Sequence, residues 1–511
     1  MRSSSRSFLR RRAPALLAAL LLPGCLSMDL EPMTPEDVAR RNAESLQWIA
    51  LQDEPLPANL TIEWAFARAL KFNLDRRVKK MEAAIALGQF DLAKFDTLPK
   101  LTAEAGYNYR DNESIVRSRD SVTGRPSLAN PSISSERIHV NSAVGPSWNL
   151  LDFGTSYFAA KQAGDRALAA AERRRKSTHL LLAEVRSAFW RVAVAQRIAP
   201  ELKQALADAE AALAEARRME QDRLRPPAES LRLQRSLLEH IAQLETLQQD
   251  MSIARIELAS LIGAPVAAGY TVTEPAFGLP KSLLEVPVDE MEQAALANNP
   301  DLAMALYDVR IAQQEAHKAI TKLFPSVTFE YQLKHDTDSY MINDSWQSAS
   351  ARISFDLFRF ATLGRDLDAI ELTEDLAKRK QIATLMATVA QVNLSRIEYR
   401  MAYRAFERAE QTATVDGRLR EIFLAQAREE VQSRLEVVAA RTNALLSLGQ
   451  RYRAMIQVQA AIGRMQSTLG LDPLLEPPMS IPTQELATRL ATYTQGWQDG
   501  SWIKTLPKTA R

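Results

Sequence analysis

The spacing of apolar residues changes along this chain between a helical period and a period of two. Apolar residues recur at helical spacing over 61–97 and again over 287–323, and each stretch ends at an X-Pro pair that disfavours further helix. After each proline the period becomes two, which predicts one strand pair within 101–150 and a second within 327–358.

Strong helix formers dominate the remainder of both halves. Ala, Leu, Arg, Glu and Gln fill the stretches from about 155 to 262 and from about 362 to 468. Because such runs greatly exceed an ordinary globular helix, we predict that each folds as two long antiparallel helices. The expected turns lie near Arg225-Pro226-Pro227 and near 428–432.

The order of these elements indicates two tandem repeats of one structural unit. Leu98-Pro99-Lys100-Leu101 matches Phe324-Pro325-Ser326-Val327, and the helical stretches before them match at the same offset of 226 residues. Trp148-Asn149-Leu150 has a counterpart beginning at Phe355, now at an offset of 207 residues, so the halves differ mainly in one loop. The predicted division is a signal peptide (1–24), an extended lead-in (25–60), repeat 1 (61–265), repeat 2 (287–473) and a tail (474–511) with a short helix at 483–494.

The strand pairs have the length and one-sided apolar pattern that a membrane-spanning barrel requires. Return strands are expected to include Leu150 in the first pair and Phe355 and Leu357 in the second. Four strands from one chain cannot close a barrel, and an open edge is not tolerated in lipid. If these strands cross a membrane, several copies of the chain must therefore assemble.

The first 24 residues have the pattern of an export signal. Five arginines without an acid precede a short apolar stretch, Ala13 to Leu22, which is too short to span a membrane. Leu22-Pro23-Gly24-Cys25 resembles a bacterial lipobox, in which the cysteine is acylated; the alternative is ordinary signal-peptidase cleavage with Cys25 incidental. Removing the five arginines changes the formal charge from +2 to −3, and no basic, aromatic-rich stripe remains to suggest nucleic-acid binding.

Composition and motifs argue against an enzyme. The chain has 17 glycines and one cysteine, and its five histidines are scattered, so neither a Gly-rich nucleotide site nor a multi-thiolate metal site is expected. No hydrolase elbow or His-Glu-x-x-His helix occurs. We expect no catalytic residues, cofactor or metal.

Taken together, the duplicated pattern resembles the TolC-like outer-membrane efflux protein family over about residues 60 to 475. The resemblance rests on the two Ala-Leu openings, the two helix-to-strand junctions and Trp148-Asn149-Leu150-Leu151-Asp152-Phe153-Gly154. It implies an α+β membrane protein in which three protomers each give four strands to one β-barrel. Their helices continue as a coiled-coil tunnel across the periplasm, where an adaptor protein and an inner-membrane pump dock. The acylated N-terminus resembles the lipoprotein subgroup, held in the outer-membrane lipid.

The same resemblance places candidate functional residues at the second helical turn. Ser433-Arg434-Leu435-Glu436 matches the position where family members carry acidic residues that narrow the pore, although Ala439 replaces the second acid. A symmetric ring of Glu436 carboxylates would favour cations. The alternative is structural, because Ser433-x-x-Glu436 is also a capping box that starts a helix. The two roles are partly compatible.

Both turns depart from the family by lacking glycine. The first turn has Pro226 and Pro227, which are expected to stiffen it, and the second has the charged pair Glu429 and Glu430. Adaptor docking is thus expected through a contact that the sequence does not identify.

The leading hypothesis is a passive export duct. The competing hypothesis, from a different class, is a periplasmic coiled-coil scaffold lipoprotein whose strand pairs form no pore.

Overall fold

The computed structural model describes most of the chain, and the described residues are 32–51, 54–126, 130–222, 226–265, 269–273, 279–428, 434–472, 481–499 and 501–502. The predicted signal peptide and Cys25 lie outside them. The chain divides into two units, 1–56 and 57–511, and each is considered separately.

The first unit contains helix α1, Pro35–Leu51. The Thr34 hydroxyl accepts the Asp37 amide at 3.2 Å and donates to the Asp37 carboxylate at 2.8 Å, which caps the helix. Pro35 occupies the first helical position, where its missing N–H costs nothing. The prediction of an extended lead-in over 25–60 is therefore wrong for 35–51, where this capping pattern starts a helix.

The second unit opens with a short strand and two consecutive helices. They are β1 (Asn59–Leu60), α2 (Ile62–Phe72) and α3 (Leu74–Phe95). The stretch 61–97 is thus two helices rather than one, because the Asn73 backbone is extended at the end of the first helix and its side chain accepts the Arg76 amide at 2.9 Å to start the second.

A four-stranded antiparallel sheet follows these helices in sequence and is completed from the second half of the chain. Its strands are β2 (Lys100–Tyr109), β5 (Ile138–Asn149), β7 (Ser326–Asp336) and β8 (Ser345–Ser354), hydrogen-bonded in that order. One row across the sheet runs Ala103, Val144, Leu333 and Gln347. The two-residue strands β3 (Ile115–Val116) and β4 (Ser132–Ile133) pair within the long loop between β2 and β5.

The return strands end earlier than the alternation predicted. Strand β5 ends at Asn149, whose side chain accepts the Leu151 and Asp152 amides at 2.9 and 3.1 Å, so Leu150 begins a helix. Phe355 and Leu357 likewise follow the end of β8, where the Asp356 carboxylate accepts the Phe358 amide at 3.1 Å. Side-chain caps therefore overrule the alternating pattern at both ends.

Two pairs of long helices account for most of the second unit. The first pair is α4 (Leu150–Gln221, 72 residues) and α5 (Pro227–Leu261), and the second is α9 (Arg359–Arg428, 70 residues) and α10 (Arg434–Leu469). At 1.5 Å per residue α4 is about 108 Å long. The stretches of strong helix formers at about 155–262 and 362–468 thus each fold as two long helices.

Two short elements lie between the halves, β6 (Thr271–Val272), parallel to β1, and α6 (Ser282–Glu285). The second half then opens with helices α7 (Val288–Asn298) and α8 (Pro300–Thr321). Asn299 divides α7 from α8 and caps α8 through the amides of Asp301 and Leu302. In the predicted tail, helix α11 spans Thr483–Asp499, five residues beyond the expected end at 494.

Helix α4 is the centre of the helical packing, since α3, α5, α8 and α10 all contact it. A separate apolar cluster joins α7, α9 and α10 to the tail, where Trp497 and Trp502 stack with ring centroids 4.4 Å apart. No helix within the described part of the chain combines the length and the apolar character needed to cross a membrane.

Candidate functional site: the helical turns and the open edges

The first helical turn joins α4 to α5. Asp222 follows the last residue of α4, and Pro226 and Pro227 open α5, with the Glu229 and Ser230 amides donating to the Pro226 carbonyl at 3.0 and 3.2 Å. Pro227 lies at the first helical position, so its fixed φ favours helix initiation there. Both prolines are exposed and available to a partner.

The second turn lies largely outside the described residues, and so do Glu429, Glu430 and Ser433. Arg434 is the first residue of α10, and Glu436 lies in its first turn with an exposed side chain. The capping interaction between Ser433 and Glu436 thus stays a prediction.

A three-helix apolar cluster joins the end of α4 to the beginnings of α5 and α10. Val438 of α10 is buried against α4 and against Leu237 of α5. An ion pair of 2.5 Å between Arg441 and Asp208 adds a polar link between α10 and α4. Since Glu436 precedes Val438 by two residues, it lies about 200° around the helix and faces away from the cluster. The start of α10 is therefore anchored on one side and presents a carboxylate on the other.

The sheet has two open edges. In the described part of the chain, β2 pairs only with β5 and β8 pairs only with β7. Each edge strand is joined in sequence to a helix, since α3 precedes β2 and α9 follows β8.

Both of these edge helices expose a stripe of large apolar side chains. On α3 the stripe comprises Val78, Met81, Ile85 and Leu92, with exposed fractions of 51, 68, 62 and 68%. On α9 it includes Leu372, Leu376 and Met386, at 70, 52 and 61%. Contiguous exposed apolar surface of this kind marks an interaction site. These stripes are not among the sites predicted from the sequence, although the spacing of three, four and seven residues on α3 is a readable signal.

Polar contacts join the ends of α5 and α10 to the residues that separate α2 from α3 and α7 from α8. We call each of these contacts a polar junction. The side-chain Nδ2 of Asn73 donates to the Leu261 carbonyl at 3.2 Å, and that of Asn299 donates to the Thr468 carbonyl at 2.9 Å. Beside each, a helix ends at a glycine with positive φ, Gly263 (62°) and Gly470 (65°). A Cβ on Gly470 would lie 2.3 Å from the Asn298 carbonyl oxygen, so no side chain fits there.

Asp472 adds charge to the second junction. It accepts hydrogen bonds from Arg175 at 3.1 Å and from His179 at 2.9 Å. Burial by itself would raise the pKa of Asp472, but the hydrogen bonds and charges of His179 and Arg175 bring that pKa below its ordinary value. This residue, too, was missed in the sequence, because its partners are almost 300 positions away.

Within the described residues, no group of three His, Cys, Asp or Glu side chains is arranged to hold a metal ion.

Residues 67–264 match the profile of the outer membrane efflux protein family. The resemblance to that family is confirmed. The matched region runs from α2 to the end of α5 and so contains the first strand pair and the first helical turn. It is a family of transport proteins rather than of enzymes.

Solved outer-membrane channels have the same fold. The Campylobacter jejuni CmeC outer membrane channel aligns with a TM-score of 0.63 at 13% identity, covering 86% of this chain and 90% of that one. The open state of the Neisseria gonorrhoeae MtrE outer membrane channel aligns at 0.59 with 18% identity, covering 80% and 88%. The Vibrio cholerae outer membrane protein VceC aligns at 0.58 with 13% identity, covering 80% and 96%. No curated protein matches the chain.

Proposed function

We propose that this chain is the outer-membrane duct subunit of a tripartite efflux or type I secretion system. It conducts substrate passively from the periplasm, or from an inner-membrane pump, to the exterior. The match to the outer membrane efflux protein family and the fold shared with outer-membrane channels support this function. The observation that carries it is the four-stranded sheet with both edges open and, next to each edge strand in sequence, a helix with an exposed apolar stripe.

The assembly we propose is a homotrimer. Edge β8 of one protomer pairs with edge β2 of the next, and the apolar stripe of α9 packs on that of α3. This arrangement removes every open edge, as a lipid-embedded sheet requires. The edges favour a closed ring of copies, and the number three comes from the family resemblance.

Two tandem structural repeats are part of the proposal. They are supported by the matched junctions, in which Asn73 and Gly263 in the first half correspond to Asn299 and Gly470 in the second.

At the end remote from the sheet, the helical turns form the periplasmic mouth. There Glu436 lines the narrowing, and the exposed residues Pro226 and Pro227 are available to the adaptor protein. We also propose that Cys25 is acylated and that its lipid holds the N-terminus in the outer membrane.

Reconstitution into planar bilayers tests the duct function. Purified protein is expected to give long-lived conductance steps and to run as a heat-modifiable oligomer on gels. A Cys25→Ser variant separates this proposal from the scaffold hypothesis: a barrel stays integral to the membrane without its lipid, whereas a scaffold lipoprotein becomes soluble. Release of Cys25→Ser protein from washed membranes, together with the absence of conductance, would reject the duct.

A further inference from the structure

A cavity of about 660 Å³ lies over α4 between α3 and α8, apart from the turns and edges described above. Its floor is recessed because α4 carries the small residues Gly164, Ala167 and Ala171 there. Leu87 and Phe90 of α3 form an apolar side wall. A Cβ on Gly164 would lie 3.2 Å from the Phe90 ring, so the glycine allows that ring to lie close to α4. The volume and the apolar lining are typical of a small-molecule site.

The lining of this cavity is strongly unbalanced in charge. Four basic residues contribute to it, Lys80, Lys161, Arg174 and Arg310, against the single acid Asp165. Asp165 is buried and makes an ion pair of 2.7 Å with Arg310. Asp165 and Arg310 neutralise each other in that pair, so the positive charge left to a ligand is that of Lys80 and Lys161, and the lining favours an anionic ligand.

The cavity opens on a face of α4 that the proposed trimer does not cover. Lys161 precedes His179 by 18 residues, which is five full helical turns, and Leu168 precedes Arg186 by the same interval. His179 and Arg186 face the layer that includes Asp472 and Phe66. On α3, the cavity residues Ala83 and Leu87 lie on a different face from the exposed stripe that ends at Leu92. A second copy of the chain is therefore not the occupant.

Its distance from the sheet separates the cavity from the bilayer. Strand β5 ends at Asn149, and Lys161 and Arg174 follow 12 and 25 residues further along α4, about 18 and 37 Å away. In the orientation of the proposed duct, on which this step depends, the cavity lies in the periplasm. A ligand there is a free amphiphile rather than a bilayer lipid.

We propose that this cavity binds a free long-chain carboxylate, with its acyl chain along the Gly164–Ala171 floor and its head group among the basic residues. The apolar wall removes the chain from water, and the surplus of positive charge selects a carboxylate over a neutral head group.

Photolabelling of the full-length protein in phosphatidylcholine nanodiscs tests this site. The probe is hexadecanoate carrying a diazirine on its chain, compared with the matching diazirine hexadecanol, and labelled residues are mapped by mass spectrometry. We expect labelling at Leu87, Phe90 or Leu168, at least fivefold stronger for the carboxylate. Equal labelling by the two probes, or labelling scattered outside the cavity, would overturn the proposal.

Matched variants locate the charge effect. Lys80→Glu is expected to reduce labelling at least fivefold, and Ala167→Leu, which fills the floor, to reduce it similarly. Lys79→Glu makes the same charge change at a residue outside the lining and is expected to leave labelling unchanged. Equal losses in Lys79→Glu and Lys80→Glu would refute a specific site.

Two further comparisons are needed. One distinguishes a free carboxylate from a bilayer lipid as the ligand, and the other separates failure of the cavity proposal from failure of the duct proposal. Replacing part of the nanodisc lipid by phosphatidylglycerol is expected to leave labelling intact, and strong competition would assign the cavity to a bilayer lipid instead. Because labelling does not require conduction, a protein that labels but forms no pore would reject the duct function while retaining the site.

Discussion

The helix–helix interfaces inside the chain, called seams below, and the exposed stripes on α3 and α9 differ in the size and exposure of their apolar residues. In the cluster below the turns, α4 contributes Ala209, Ala212 and Ala216, all of them almost completely buried. On α3, by contrast, large side chains such as Met81 and Ile85 are mostly exposed. Small residues allow the helices of one chain to approach closely, whereas large exposed residues provide area for a partner that is not part of the chain.

In the proposed trimer, this contrast separates the interfaces that form with folding from those that form with assembly. A seam based on alanine gains little from apolar area and depends on close fit, so it is sensitive to added volume. A stripe of Leu, Ile, Val and Met depends on area removed from water, so it is sensitive to added charge. The two kinds of interface can therefore be disrupted selectively.

The largest effect is expected from charge on the α3 stripe. The double variant Met81→Asp/Ile85→Asp would place two carboxylates in the proposed contact with α9, and we expect at least a tenfold loss of oligomer. The heat-modifiable band on gels and the mass from light scattering measure it.

A charge at an exposed apolar residue away from the edges is the control for this variant. Val122 lies in the loop between β2 and β5 and is almost fully exposed, so Val122→Asp should leave the oligomer intact. An unchanged oligomer in the α3 double variant would show that the stripe is not an assembly surface, and the contrast between seams and stripes would be rejected.

The next effect is expected inside the seam. Ala212 is 1% exposed, and Ala212→Leu forces extra volume between α4, α5 and α10 at a cost of about 1–3 kcal/mol. We expect a lower thermal midpoint with the oligomer retained under native conditions. Ala228→Leu, at an exposed alanine near the start of α5, should cost little, and equal destabilisation by both variants would argue against a tightly fitted seam.

The polar junction at Asp472 gives a third, smaller effect that depends on pH. Since the pKa of Asp472 is lowered in the folded chain, its stabilisation is complete above its ordinary value of about 4 and is lost as the pH falls through the lowered pKa. Asp472→Asn is expected to lower the thermal midpoint at pH 7 and to flatten its decline in acid. Asp375→Asn, in an exposed pair with Arg379, should preserve the acid decline. A wild-type acid profile in Asp472→Asn would contradict the assignment.

The smallest effect is expected at the mouth. Glu436→Gln removes one carboxylate per protomer and should lower the cation selectivity of the reconstituted pore by a few-fold, with reversal potentials as the measurement. Its stability shows whether the capping role also holds, since loss of a helix cap costs about 1 kcal/mol. Unchanged selectivity and unchanged stability would together reject both roles.

The local elements could largely be predicted from the sequence, because periodicity and proline position act over short distances. Pro99 and Pro325 mark the change from helix to strand, and the alternation after them predicts β2 and β7. The breaks at Asn73 and Asn299 were not predicted, since a capping asparagine inside an Ala-Leu-rich stretch does not disturb the helical period. Helix α1 was missed because its start depends on a cap at Thr34 rather than on an apolar pattern.

Features of the candidate site that depend on contacts between distant residues could not be predicted from the sequence. The pairing of β5 with β7 joins residues almost 200 positions apart, and neither strand's pattern specifies its neighbour. The helical period over 61–97 predicts an apolar face on α3, but periodicity does not show whether the chain itself covers that face. At the second turn, the family resemblance supplied Glu436 without its geometry.

The two longest helices differ in one respect that bears on how the mouth would move. Helix α4 contains Pro200, which has no N–H to donate to the Gln196 carbonyl, whereas α9 contains no proline. Pro200 lies 21 residues before the end of α4, about 32 Å away. A bend of about 10° at this weakened turn would displace that end by about 5 Å, while α9 would have to swing as one rod about its junction with the sheet. Widening of the proposed mouth would then involve different motions of the two helices in each protomer, since α4 would bend at Pro200 and α9 would pivot as a whole.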